Sequence, residues 1–159
     1  MILVATSTVE QTQAVAATVA EHVAAGDLLL LVGDLGAGKT AFAQGFGAAL
    51  GVTEPITSPT FTLARQYQGR LLLHHLDVYR LENLNEVMDL DIPELLEGDS
   101  VTLIEWGDAI APALPANYLE LRISFGEGDD DRLVQITAVG PRWSARERVL
   151  ATALGVAPC

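Results

Sequence analysis

A glycine-rich segment with a single lysine is the part of this sequence best suited to chemistry. Residues 33 to 40 read Gly-Asp-Leu-Gly-Ala-Gly-Lys-Thr and match G-x-x-x-x-G-K-T, the pattern of a phosphate-binding P-loop. Its glycines let main-chain N–H groups face a phosphate with no side chain in between. Lys39, the only lysine of the chain, would reach the β- and γ-phosphates, and the Thr40 hydroxyl would hold Mg²⁺.

The predicted phosphate site includes the first turn of the helix that follows the loop. A helix starting near Lys39 adds unpaired N–H groups and the positive end of its dipole. A glycine-rich turn that binds nothing is the alternative, but a buried strand, this turn and a helix in succession favour a nucleotide. The candidate residues are Gly33, Asp34, Leu35, Gly36, Ala37, Gly38, Lys39, Thr40 and Ala41.

Two predicted strands end in a carboxylate, an arrangement that P-loop enzymes use to reach Mg²⁺. Asp77 follows the run Leu71–Leu76, and Glu105 closes the run Val101–Glu105. Ligands gather at the C-terminal edge of a parallel sheet, so both acids should lie beside the loop. Each alone could be a solvated strand-end acid. Together they are our candidates for binding magnesium and water, and with Lys39 they form the predicted catalytic set.

A hydroxyl-rich segment, Thr57-Ser58-Pro59-Thr60-Phe61, follows the loop helix. Pro59 fixes its own φ and pushes Ser58 toward extended geometry, so the hydroxyls are displayed on an irregular backbone. This could be ordinary turn chemistry. Its position one helix after the P-loop favours a switch in which Ser58 and Thr60 sense the γ-phosphate or its magnesium.

The remaining elements are predicted from apolar periodicity. Thr8 and Gln11 have the spacing of a capping box that opens a helix reaching about Ala25. The loop helix should end at Gly51. The other predicted strands are Ile2–Ala5, Phe61–Tyr67, Tyr118–Phe125 and Leu133–Val139, and a second capping box, Ser144 with Glu147, opens a final helix.

Composition predicts a globular α/β protein. The 159 residues are half apolar and suit one domain, 1–159, with the P-loop NTPase fold: a mixed, mostly parallel sheet flanked by helices, with antiparallel strand pairs. The net charge of −12 disfavours direct binding to RNA, DNA or anionic membranes. The start of the chain lacks the features of a signal peptide, and a cytoplasmic location is expected.

Missing motifs narrow the class of P-loop protein. A GTPase reads guanine with Asn-Lys-x-Asp, which needs a second lysine. A small-molecule kinase usually closes an arginine-bearing lid, and no Gly/Arg-rich lid pattern is present. These absences favour ATP over GTP, and hydrolysis over transfer to a small acceptor.

Four motifs in order resemble the TsaE (YjeE) family, bacterial ATPases of tRNA threonylcarbamoyladenosine biosynthesis. The similarity runs from about residue 7 to 125. The motifs are Gly33–Thr40, Thr57–Phe61, His75-Leu76-Asp77-Val78-Tyr79-Arg80-Leu81 and Ile104-Glu105-Trp106.

The resemblance implies an ATPase that acts on the TsaB–TsaD heterodimer and meets tRNA only through its partners. Its ATP hydrolysis is thought to reset that complex between rounds. By position, Lys39 and the loop backbone would bind the phosphates, and Thr40 and Glu105 would bind Mg²⁺. Asp77 would belong to the hydrolytic site, and Ser58 and Thr60 to the switch. A metabolic kinase and a nucleotide-dependent interaction module remain the alternatives.

Overall fold

The computed structural model describes residues 1–34, 36–57, 64–78, 91–105 and 114–156. Within these residues the strands are β1 (Ile2–Thr6), β2 (Leu28–Gly33), β3 (Ala64–Gln68), β4 (Leu72–Asp77), β5 (Ser100–Glu105), β6 (Tyr118–Phe125) and β7 (Arg132–Val139). The helices are α1 (Val9–Glu21), α2 (Lys39–Ala49), α3 (Ile92–Leu95), α4 (Pro141–Ser144) and α5 (Glu147–Ala153).

The described strands form a single sheet in the order β1-β7-β6-β2-β5-β4-β3. At its centre β2 pairs in parallel with β5 and β6, and β5 pairs in parallel with β4. The outer pairs β1–β7, β6–β7 and β3–β4 are antiparallel. It follows that β3 and β7 run against the other strands. The C-terminal ends of β2, β4, β5 and β6 therefore meet at one edge, where ligands bind in such sheets.

The central strand β2 is apolar throughout because both of its faces are buried. Leu29 and Leu31 belong to the larger core. This core also includes Phe42 and Phe46 of α2 and two valines of α1, Val15 and Val19. On the opposite face Leu28 and Leu30 pack with Ile92 of α3 and Ile104 of β5. The sheet thus lies between helices, and β2 carries the P-loop out of the middle of the core.

The two long helices α1 and α2 touch at their backbones. A Cβ at Gly45 of α2 would lie 2.5 Å from the Gln13 carbonyl oxygen of α1, so only glycine fits there. The capping box predicted for α1 is confirmed at its first bond, in which Gln11 N donates to Thr8 Oγ1 over 3.1 Å. The side chain of Gln11 accepts from Ser7 N rather than from Thr8.

A buried acid ties the turn before β2 to the C-terminal helices. Asp27 is fully buried and accepts a hydrogen bond of 2.7 Å from Arg142 Nε. Arg146 donates to it from both terminal nitrogens, at 2.7 and 2.8 Å. The guanidinium of Arg146 also stacks 3.8 Å from the centroid of the Trp143 ring. We call this set (Asp27, Arg142, Trp143 and Arg146) the Asp27 clamp.

The Asp27 clamp explains why α1 ends earlier than predicted. The helix stops at Glu21, not near Ala25, because Asp27 accepts from Ala24 N over 2.7 Å and folds residues 24–27 into a turn. Arg146 and Arg142 bind the carbonyls of His22 and Ala25, which the helix leaves unpaired. The sequence pattern of α1 contained no sign of partners more than a hundred residues away.

The second predicted capping box is wrong. Ser144 lies inside α4, which starts at Pro141, and its hydroxyl donates to the Gly140 carbonyl over 2.9 Å. The N-cap residue of α5 is Arg146, with no side-chain cap. Pro141 fixes a helical φ and starts a turn three residues before Ser144, which removes that serine from a capping position.

The predicted fold class is confirmed: helices cover a mixed sheet in which most strands run one way, with antiparallel pairs at its edges. The antiparallel strand pairs that the predicted fold includes are present as the hairpins β3–β4 and β6–β7. Residues 61–63 of the predicted strand Phe61–Tyr67 lie outside the described residues. No helix among the described residues is long and apolar enough to cross a membrane. The assignment of 1–159 to one domain stays a prediction.

Candidate phosphate-binding site

The P-loop connects β2 to α2 at the C-terminal edge of the sheet. Gly36 and Gly38 have φ values of +82° and +112°, which residues with a side chain rarely adopt. A Cβ built at either glycine would meet nothing within 4 Å, so the requirement for glycine here is conformational. Gly38 caps α2, and its carbonyl accepts from Phe42 N over 2.9 Å. The helix therefore begins at Lys39, as the sequence predicts.

Gly33 is needed for a different reason. It pairs with Ile123 of β6, and a Cβ at this position would lie 2.5 Å from the Ile123 carbonyl oxygen. Any side chain would push β6 away from the start of the loop. Hence the first glycine of the motif fixes the loop against the sheet, while Gly36 and Gly38 shape its turn.

Lys39 lies under the loop and is 6% exposed. Its ammonium donates to the carbonyls of Gly33 and Asp34 over 2.7 and 2.9 Å. Burial lowers the pKa of Lys39 from its ordinary value. The negative charges of Glu105, Asp34 and Asp77 oppose this shift of the lysine pKa without cancelling it. Those carboxylates are thus close enough to Lys39 to act on its charge.

Asp77 and Glu105 are neighbours across the β4–β5 ladder. Because partners in a parallel ladder project to the same face, the two carboxylates lie side by side. Glu105 also pairs with Leu31 of β2, two residues before the loop begins. The structure therefore brings together the three residues predicted to be catalytic, Lys39, Asp77 and Glu105.

A buried histidine holds Glu105. His75 Nε2 lies 2.6 Å from Glu105 Oε2, and the two side chains are 0% and 3% exposed. His75 projects to the same face as Asp77, two residues along β4. Its second nitrogen, Nδ1, has no hydrogen-bond partner within the described part of the chain. The carboxylate is thus held in one orientation by a side chain that makes no other polar contact there.

An arginine from the far end of the chain contacts the loop. Arg132, the first residue of β7, donates from Nε to the Ala37 carbonyl over 2.8 Å. Because β7 runs against β2, its first residue lies at the edge where the loop emerges.

The family model described as "Threonylcarbamoyl adenosine biosynthesis protein TsaE" matches residues 6–134. The match covers β1's last residue, the P-loop, both carboxylates and Arg132. The chain belongs to the TsaE family.

Curated TsaE proteins are similar over most of their length. The Bacillus subtilis protein is 45% identical over 135 residues, which cover 84% of this chain and 84% of that protein. The Streptomyces coelicolor protein is 43% identical over 131 residues, covering 77% and 87%. Each carries the name tRNA threonylcarbamoyladenosine biosynthesis protein TsaE.

A solved TsaE-like structure shares this architecture. The crystal structure of Bacillus subtilis YdiB superposes with a TM-score of 0.77 at 37% sequence identity. The alignment covers 97% of this chain and 93% of that chain. The fold of the chain is therefore that of the TsaE family along almost its whole length.

Some predicted residues of this TsaE-family site lie outside the described residues: Leu35, Ser58, Thr60 and, from the motifs, Tyr79, Arg80 and Trp106. Thr40 and Ala41 are described, half-buried on the first turn of α2. Sequence reasoning missed the roles of His75 and Arg132. The alternation of β4 places His75 on the face of Asp77, a signal that could have linked it to the carboxylates. Nothing local to Arg132 indicates its contact with Ala37.

Proposed function

We propose that this protein is a Mg²⁺-dependent ATPase required for threonylcarbamoyladenosine modification of tRNA, working in the cytoplasm on the TsaB–TsaD complex. The observation that carries the proposal is the placement of Lys39, Asp77 and Glu105 around a P-loop at one sheet edge. The names of the TsaE relatives support the pathway.

The loop suits the phosphates of a nucleotide. Gly36 and Gly38 turn the backbone without side chains in the way, and the N-terminus of the 11-residue helix α2 faces the loop. Lys39 supplies a cation that is largely buried, so little solvent screens the attraction between its charge and a bound phosphate. Bound phosphates would replace or join the two carbonyl acceptors that it now has.

Thr40 and Glu105 would hold Mg²⁺, because a hydroxyl and a carboxylate are the hard oxygen ligands that this ion prefers. Among the described residues no three His, Cys, Asp or Glu side chains converge in a way that could hold a metal alone. This suits Mg²⁺, which is commonly bound by one or two protein oxygens plus substrate phosphates. The ion would neutralise charge that spreads over the γ-phosphate during transfer.

Asp77 is the residue that we assign to the attacking water. Its carboxylate lies beside Glu105 on the same face of the sheet, so it can accept a hydrogen bond from a water near the γ-phosphate. His75 keeps Glu105 oriented through their 2.6 Å contact. Hydrolysis then depends mostly on positioning and on charge neutralisation, as in other P-loop enzymes.

Labelled ATP tests the proposal. Phosphate release should be slow with the protein alone, faster with TsaB–TsaD, and absent with Lys39→Ala. Transfer of the label to a small metabolite would instead show a kinase, and binding without release an interaction module. A companion measurement is capture of the TsaB–TsaD pair, which we expect only when nucleotide is present.

A further inference from the structure

Arg132 links the turn between β6 and β7 to the P-loop. Beyond its bond to Ala37, it donates from Nη1 to the carbonyls of Asp129 and Asp131, each over 2.8 Å. Its guanidinium lies over the ring of Phe125, 4.8 Å from the centroid. The turn is closed by a hydrogen bond in which Gly126 N donates to the Asp131 carbonyl over 2.8 Å. The guanidinium of Arg132 is therefore held by the turn as well as by its bond to the loop.

The peptide that Arg132 holds joins Ala37 to Gly38, so its rotation changes ψ of Ala37 and φ of Gly38. Gly38 tolerates most backbone angles and therefore offers little resistance to such a rotation. A trans peptide is planar, and its C=O and N–H point in opposite directions. Fixing the Ala37 carbonyl toward Arg132 therefore aims the Gly38 N–H the other way, into the loop. A flipped peptide would present a carbonyl oxygen where a phosphate needs a donor.

We propose that Arg132 is a positioning residue of the phosphate site: by holding the Ala37 carbonyl outward, it keeps the Gly38 N–H turned toward the nucleotide phosphates. The part that concerns phosphates rests on the proposed function. The part that concerns the orientation of the peptide does not.

The positive charge of Arg132 adds to this role. Its three described acceptors are main-chain carbonyls, so no carboxylate among them cancels the charge. The side chain of Asp131, the nearest acid in sequence, accepts instead from Gly128 N over 3.0 Å. A positively charged side chain therefore contacts the main chain of the loop directly.

The chain offers a matched control for the charge. Arg122 lies on β6 of the same hairpin, is 45% exposed and contacts Glu120 alone among the described salt bridges. Arg122→Met and Arg132→Met thus remove the same charge from the same hairpin, and only the second removes the bond to Ala37. Arg132→Lys keeps the charge but has a single donor nitrogen, which cannot occupy the positions of both Nε and Nη1.

Two measurements on the full chain test the proposal. The first, made without nucleotide, is the nuclear Overhauser effect between Ala37 Hα and the Gly38 amide proton, whose strength depends on the ψ angle that a peptide flip changes. It should change in Arg132→Met and stay as in wild type in Arg122→Met. The second is ATP affinity, which should weaken about tenfold in Arg132→Met, or about 1.4 kcal/mol. The Michaelis constant should rise while kcat changes little. Arg132→Lys should recover only part of the loss.

Three results would overturn the proposal: an unchanged Ala37–Gly38 Overhauser effect in Arg132→Met, an equal loss of affinity in Arg122→Met, or full recovery in Arg132→Lys, which would show that only the charge of Arg132 matters. A thermal melt of each variant identifies any general unfolding, and Arg132→Lys replaces Arg132→Met in the comparison if the latter is unfolded. Failure of the wild-type chain to bind ATP would contradict the proposed function, whereas the Overhauser effect would still decide the orientation of the peptide.

Discussion

Lys39 has a structural role in the loop in addition to the phosphate-binding role that the sequence pattern predicts. Its ammonium bridges the carbonyls of Gly33 and Asp34, so it closes the loop on itself as well as offering a charge. A buried ammonium stabilises only where it is well hydrogen-bonded. The P-loop lysine is therefore part of the packing of the loop as well as part of its proposed phosphate site.

Lys39→Ala should remove most ATP affinity and leave the fold in place. The reason is that Lys39 is the cation placed for the β- and γ-phosphates, whereas its two carbonyl partners can bind water once it is gone. Isothermal titration with ATP beside a circular-dichroism melt measures both effects. Lys39→Met, which keeps the buried stem, is the matched control for packing. Unchanged affinity in both variants would mean that the phosphates bind elsewhere.

Glu105→Ala and Asp77→Ala should each abolish hydrolysis by different routes. Glu105→Ala should show the larger loss of magnesium dependence, because we assign that carboxylate to the ion directly. Phosphate release tests the loss of hydrolysis, and ATP binding followed across a magnesium titration measures the difference between the variants. Should Asp77→Ala hydrolyse ATP at the wild-type rate, the role given to the end of β4 is wrong.

At the scale of elements, the Asp27 clamp joins the start of β2 to α4 and α5. Asp27→Asn should lower the free energy of unfolding at neutral pH by about 2 kcal/mol, because it weakens three charge-assisted hydrogen bonds. The arginines are partly exposed, which keeps the cost below that of breaking a fully buried pair. Asp130→Asn, on the exposed turn, is the control, and urea denaturation is the measurement.

The same variant should show a pH signature. Burial would raise the pKa of Asp27, but hydrogen bonds from Arg146, Ala24 N and Arg142 outweigh it and lower that pKa below its ordinary 3.8. A carboxyl whose pKa is lower in the folded than in the unfolded state stabilises the folded protein. This contribution is complete at pH values above the unfolded-state pKa and is lost as the pH falls through the folded-state pKa. The gap between wild type and Asp27→Asn should therefore hold down to about pH 4 and shrink below it. A gap that persists in stronger acid would argue against the clamp.

The elements that local sequence specifies were predictable. The apolar run of β2, the glycines after it and the helix behind it identify the loop, and two strand-end acids identify its partners. What local sequence could not supply are contacts between distant residues: Arg132 with Ala37, His75 with Glu105, and Asp27 with the C-terminal arginines. The failed capping box at Ser144 has the same origin, because a four-residue pattern ignores the proline that starts the turn before it.

At the scale of the whole molecule, the positions of Arg65 and Arg132 indicate that the proposed ATPase site needs a further positive charge. Arg65 is exposed on the edge strand β3, and Arg132 is engaged with the back of the loop. Arg80 lies outside the described residues. An arginine that neutralises the transferring phosphoryl group can contribute ~10³–10⁵ in rate. A partner that donates such a cation would supply a charge that neither Arg65 nor Arg132 is placed to give.

We therefore expect slow single-turnover phosphate release from the isolated chain and a large acceleration by TsaB–TsaD at fixed magnesium. Rapid-quench measurement of one turnover separates the chemical step from product release. Glu105→Ala mixed with the pair serves as the blank. A fast isolated enzyme that the pair fails to accelerate would contradict both this mechanism and the assigned partner.

The position of β1 has a consequence for how the chain is made. Ile2–Thr6 leaves the ribosome more than a hundred residues before its ladder partner β7, Arg132–Val139. Strand pairs so far apart in sequence close late, because the entropy of the intervening loop must be overcome first. During synthesis this apolar segment has no native neighbour to pair with, and such unpaired strands promote aggregation. The nascent protein thus depends on β7 being translated before β1 can pair and be protected from aggregation.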